Sequence, residues 1–298
     1  MFIDTENCKD MTSLTSLALH CVKVNSNALQ DINDHMPKLK SLALLGVFGM
    51  TNGRLDFPEM EVLCLGLSTK AKEVTIKLPV LVKLQLKMQC PEKLSIDAPA
   101  LKFVAFNLEV QESTTLDVKN ICSLQELLYG ASSFTTLSSL VKTNVDLDKV
   151  FLDIPCMALG EDGNWLGVLK DIALDLPDFS QLHDSKKLDV LNVGPGLWYS
   201  MEVNVDRLET VEKWPPYTKL ILHMIPQRLD TCERVLRCLL KPSQVTTLQI
   251  YVHTSSPVEY QVIIPKAKEM WLSYNQAPDE NFKPNPWTKS LDFSCFRI

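Results

Sequence analysis

The chain has 298 residues, 46% apolar and 22% charged, with a net charge of -6 and a pI of about 5.5. This is the composition of an ordinary folded protein, and its acidic balance disfavours a general surface for nucleic acid or anionic membrane. No run of about 18 apolar residues spans a bilayer, charged Asp4, Glu6, Lys9 and Asp10 stand where a signal core would lie, and the nine cysteines without paired spacing fit reduced thiols of the cytoplasm or nucleus.

One short pattern recurs twelve times: an apolar anchor, two variable residues, an apolar residue, one variable residue, and a third apolar residue. The anchors are Leu14, Leu39, Met60, Leu81, Leu101, Leu124, Leu147, Leu169, Leu188, Tyr217, Val245 and Ala267, spaced 25, 21, 21, 20, 23, 23, 22, 19, 29, 28 and 22 residues apart. A period in the low twenties with this triplet predicts an α/β leucine-rich repeat solenoid, a horseshoe with parallel strands on the concave face. The last two apolar residues of each triplet are two apart, so both point into the coil and the residue between them points out.

In chain order, Ala28 to His35 has room for a helix after the first triplet. Then come triplets such as Leu39, Leu42, Leu44 and Leu81, Leu84, Leu86. Six anchors carry a proline two residues earlier: Pro37, Pro58, Pro79, Pro99, Pro215 and Pro265. Proline lacks an N–H and fixes its backbone, so it belongs just outside the strand, where a turn ends. Leu55 and Phe57, Val74 and Ile76, Leu94 and Ile96, and Leu116 and Val118 alternate in the space left before the next triplet. That space is too short for a helix, so the returning convex side of this stretch is predicted extended. Leu137 to Lys142 and Leu229 to Leu240 are predicted helices, the second on its 3.6-residue apolar spacing with Pro242 beyond. The Gly194-Pro195-Gly196-Leu197-Trp198-Tyr199-Ser200-Met201 stretch, in the longest repeat, is predicted to pack over a coil edge, with a contact tip as the alternative. The whole reads as one domain, residues 1–298, of about twelve irregular repeats.

The segments Met36-Pro37-Lys38-Leu39-Lys40-Ser41-Leu42-Ala43-Leu44, Phe57-Pro58-Glu59-Met60-Glu61-Val62-Leu63-Cys64-Leu65 and Leu94-Ser95-Ile96-Asp97-Ala98-Pro99-Ala100-Leu101 resemble plant F-box/LRR-repeat proteins. In that family an F-box docks on a Skp adaptor of a cullin-based ubiquitin ligase, and the repeats recruit the protein to be ubiquitinated. The resemblance therefore implies substrate recognition by the repeats. The first repeat begins at Leu14, which leaves no room for an F-box, so a Skp partner is expected only if an F-box lies upstream. Both ends look short of polar caps, which favours a fragment. The alternative reading is a stand-alone intracellular scaffold with no ligase link.

Enzymatic chemistry is not expected. His20, His35, His183, His223 and His253 show no metal-ligand spacing, and Gly-x-Ser-x-Gly, Gly-x-Gly-x-x-Gly and phosphate-loop motifs are absent. His183-Asp184 reads as a polar loop, and Gly160-Glu161-Asp162-Gly163-Asn164 as a turn, since calcium-loop spacing is missing. No cofactor and no metal is expected.

The expected partner is a protein held on the concave face. Outward positions include Lys83, Gln85 and Lys87, then Phe103, Phe151, Tyr251 and Trp271. Aromatic residues set among polar ones are the usual composition of binding anchors. Charge along this face is expected to change sign, from Lys83 and Lys87 to Asp153, Asp171 and Asp175, which would orient a partner.

Overall fold

The computed structural model describes residues 11–24, 28–109, 114–141, 147–154, 176–183, 188–241, 245–254, 256–274 and 279–287. They form a parallel-strand solenoid of the leucine-rich repeat type and divide into two compact units. The first takes residues up to Leu127 together with 138–144, and the second takes 128–137 and the chain from Val145 onward.

In the first unit the chain runs β1 (Ser16–His20), α1 (Ala28–His35), β2 (Ser41–Val47), β3 (Asn52–Leu55), β4 (Val62–Leu67), β5 (Glu73–Lys77), β6 (Lys83–Gln89), β7 (Lys93–Asp97), β8 (Phe103–Glu109) and β9 (Thr115–Lys119). Strands β1-β2-β4-β6-β8 form one parallel sheet and β3-β5-β7-β9 a second. In the first sheet Leu42, Leu63, Leu84 and Val104 stand in register, as do Leu44, Leu65, Leu86 and Phe106, all at most 1% exposed. In the second, Leu55, Ile76 and Ile96 align in the same way and are equally buried. The extended return predicted for this stretch is thus observed. Burying an aliphatic side chain contributes roughly 1.5–3 kcal/mol, so these ladders carry much of the first unit's stability.

The prolines act one step more locally than their spacing suggests. The amides of Leu39, Met60, Leu81 and Leu101 donate to the carbonyls of Met36, Phe57, Leu78 and Ala98 at 3.1, 3.5, 3.3 and 3.2 Å. Each anchor therefore closes a β-turn whose second residue is the proline, where a fixed φ is favourable.

The second unit returns through helices. β10 (Glu126–Ala131) and α2 (Leu137–Val141) are each divided between the two units, and after them the second unit runs β11 (Lys149–Asp153), α3 (Ser180–His183), β12 (Val190–Val193), α4 (Pro195–Val203), α5 (Val205–Leu208), β13 (Lys219–Met224), α6 (Leu229–Leu240), β14 (Thr247–His253), α7 (Tyr260–Tyr274) and β15 (Phe282–Trp287). Strands β11-β12-β13-β14-β15 are parallel. Helix α6 buries Cys232, Val235, Leu236, Leu239 and Leu240, the i, i+3, i+4, i+7, i+8 stripe of an amphipathic helix. Trp198 of α4 is wholly buried, so the Gly194–Tyr199 stretch does pack, as a helix.

One expectation is corrected. Ala267, the twelfth anchor, lies in helix α7 and not before a strand, with Pro265 inside that helix. Ile263, Ala267 and Trp271 are buried at a four-residue interval, which is the helical period and not the strand period. The strand in that region is β15, whose Phe282, Pro284 and Pro286 align with Leu248, Ile250 and Val252. The copy anchored on Leu169 lies outside the described residues.

Candidate functional site

The outward rows of the strands form a face in each unit. On the first unit, Lys83 and Phe103 are register neighbours on β6 and β8, and the Lys83 ammonium lies 5.0 Å from the centre of the Phe103 ring. This cation–π contact fixes a half-buried aromatic plate on the face. Lys87 is exposed, next to Gly66, which has no side chain to cover it. The row between is closed. Ala43, Cys64, Gln85 and Ala105 stand in register and are 5%, 3%, 3% and 0% exposed. Gln85, expected to face open solvent, is therefore buried: an outward direction does not give solvent access where neighbouring strands pack side chains at about 4.8 Å spacing.

On the second unit, Phe151, His223 and Tyr251 come together. His223 stacks on Tyr251 with ring centres 4.8 Å apart and planes 8° apart, and Phe151 meets His223 edge-on at 6.4 Å. Burial holds the His223 imidazole down to about 4, so the ring is neutral near pH 7 and behaves as part of an apolar platform. Strand parity directs His223 outward, and the register pairs it with Tyr251 across β13 and β14.

Asp153 does not contribute charge to the face. It is 2% exposed, and its Oδ1 accepts the amides of Gly196 at 2.9 Å and Leu197 at 3.1 Å, capping α4 from a strand 43 residues earlier in sequence. Gly194 and Gly196 make this approach possible: a Cβ on Gly194 would fall 2.2 Å from the Asp153 Cγ, and one on Gly196 2.0 Å from the Ile154 carbonyl oxygen. Burial pushes the Asp153 carboxyl up to about 7 against the pull of those amides. The expected change of sign toward Asp153 is thus absent from the described face. Asp171 and Asp175 lie outside the described residues.

Trp271, expected outward on a strand, is wholly buried on α7. Its Nε1 donates to the Val245 carbonyl at 2.8 Å, and its ring stacks on Phe282 at 5.8 Å. It is a core residue of the helix and not part of the outward strand face.

Among the described residues no group of three His, Cys, Asp or Glu side chains could hold a metal ion, and no helix is long and apolar enough to cross a membrane. Cys21, Cys64, Cys90, Cys122, Cys232 and Cys238 take part in no disulfide. His183 lies in α3, whereas Asp184 and the Gly160–Asn164 turn fall outside the described residues.

The chain is 25% identical over 144 residues to the F-box/LRR-repeat protein At4g29420 of Arabidopsis thaliana. The match covers 48% of this chain and 32% of that relative, so the chain spans about a third of the relative's length. No family model matches the sequence, and no solved structure matches it. The similarity and the solenoid together fit a leucine-rich repeat protein and a protein-interaction module.

Proposed function

We propose that this chain is the substrate-recognition part of an F-box-type ubiquitin ligase adaptor, a non-catalytic module that holds a protein on its strand faces. The observation that carries the reading is the pairing of solid aromatic plates, Lys83–Phe103 on one unit and Phe151–His223–Tyr251 on the other, with registered strands that hold them rigid. Rigid aromatic side chains on a preorganised surface bind at low entropic cost. The similarity to the Arabidopsis F-box/LRR-repeat protein supports the ligase link. Phe103, Phe151, Tyr251, Lys83 and Lys87 are the contact residues.

The test is affinity capture with the gene's full-length product, wild type against Phe151→Ala plus Tyr251→Ala. The reading expects a protein whose capture, and whose ubiquitination with a Skp adaptor present, falls together in the double variant. Capture that is lost with no Skp association favours the second reading, a stand-alone scaffold. Capture that the substitutions leave untouched refutes both.

A further inference from the structure

Along β11 to β15 the charge on the outward strand rows is of one sign, with Glu126 standing on the preceding strand β10. Lys149 and Lys219 occupy one row, two strands apart with Val190 between them. Lys283 stands in the next row at the β15 edge, beside Gln249. Lys149 and Lys283 are exposed and Lys219 is half-buried. None of the three makes an ion pair among the described residues. The carboxylate that shares their outward register, Asp153, is withdrawn to the α4 amides. Asp148 and Asp189 precede β11 and β12 and so stand off the strand rows, and Asp189 accepts a hydrogen bond from Thr218. An acidic protein thus presents a cationic strip beside an aromatic platform.

Neighbouring strands lie about 4.8 Å apart, so Lys149 and Lys219 are separated by about 10 Å across the strands. A peptide laid in that direction as a polyproline II helix advances about 3.1 Å per residue with three residues per turn, so side chains three residues apart share one side and match the two lysines. We propose that this face binds an acidic segment of a partner protein, with carboxylates three residues apart on Lys149 and Lys219 and an aromatic side chain between them on the Phe151–His223–Tyr251 platform. The proposal rests on the protein-interaction reading and names the partner's chemistry. A phosphate-rich ligand fits less well, because the lysines are spread and no arginine fork stands among them. Lysine ammonium groups on a dry-edged aromatic surface instead suit single carboxylates, which they attract from a distance and orient.

The experiment uses the full 298-residue chain and short labelled peptides read by fluorescence polarisation. The probes repeat Glu-Phe-Ser, Lys-Phe-Ser or Glu-Ser-Ser, and tripolyphosphate serves as competitor. The Glu-Phe-Ser peptide is expected to bind about tenfold or more tighter than the other two. Lys149→Glu plus Lys219→Glu is expected to weaken it about tenfold, the scale of two exposed charge pairs, with an unchanged thermal melt. Equal binding of the Lys-Phe-Ser peptide, indifference to the lysine substitutions, or tripolyphosphate binding as tightly as the peptide would each overturn the proposal. A natural partner that cross-links at Tyr251 but ignores the lysine substitutions overturns the acidic-segment proposal alone. A strand face that captures no protein overturns the interaction reading beneath it.

Discussion

Asp153 ties β11 to the start of α4, and its titration gives a sharp test of the second unit. Its carboxyl sits at about 7 in the fold and at about 3.8 in the unfolded chain, because burial penalises the charged form. The folded state therefore holds a proton that the unfolded state releases, and stability falls as pH rises through this window. Between pH 5 and pH 7 that is two units at about 1.4 kcal/mol each, or about 3 kcal/mol. Glu202, pushed up to about 7 mainly by burial, acts in the same direction. His223, held down to about 4 by burial, and His253, lowered by the same cause, act in the opposite direction below their ordinary value of 6.5. The net slope is thus a sum, and the informative quantity is the difference between wild type and Asp153→Asn, which keeps an acceptor for α4 but cannot ionise. Thermal melts at pH 5 and pH 7.5 should show the variant losing less stability than wild type by about 3 kcal/mol, a difference of roughly 6–12 °C in Tm. Parallel curves for the two proteins would mean that Asp153 is not buried against α4 and would refute the reasoning.

Other outcomes follow from the same geometry. Leu84→Asp places an unpaired charge in a fully buried ladder and should abolish the first unit's cooperative melt, whereas Lys87→Asp, three residues along and exposed, should shift Tm by little. Gln85→Asp should cost about 1–3 kcal/mol by urea denaturation, because Gln85 is closed to solvent. Gly196→Ala should destabilise the second unit by more than Asp153→Asn at pH 5, since its new Cβ meets the backbone of Ile154, and equal melts would contradict the packing. His223→Phe should remove stability lost between pH 6.5 and pH 5, seen as a flatter acid limb in the same melts.

The sequence made the first unit readable because each coil repeats its own instructions. Proline opens a turn, the anchor closes it, and two leucines two residues apart enter the core, so local chemistry and stacking agree. Helix α6 was legible for a similar reason, its apolar stripe being complete within twelve residues. The C-terminal coil was not. Pro265 ahead of Ala267 imitates the earlier turns, yet Ile263, Ala267 and Trp271 bury a helical face and override it. In β15, Pro284 and Pro286 argue against a strand, and the structure accommodates them at the edge of the described sheet, where a missing donor costs no ladder bond. The candidate site was half visible. Strand parity gave the direction of Lys83, Lys87, Phe103, Phe151 and Tyr251, but direction is not access, as Gln85 shows. Asp153 was misread because the amides that withdraw it belong to Gly196 and Leu197, and no local pattern links residues so far apart.

Photo-cross-linking tests the central claim that the strand faces grip a protein. A benzophenone side chain at Phe151 or Tyr251 should yield one discrete protein adduct in an extract of the native cells, and the same group at Val262 or Leu272, exposed on α7, should yield none. Adducts from the helix positions, with none from the strand positions, would contradict the account.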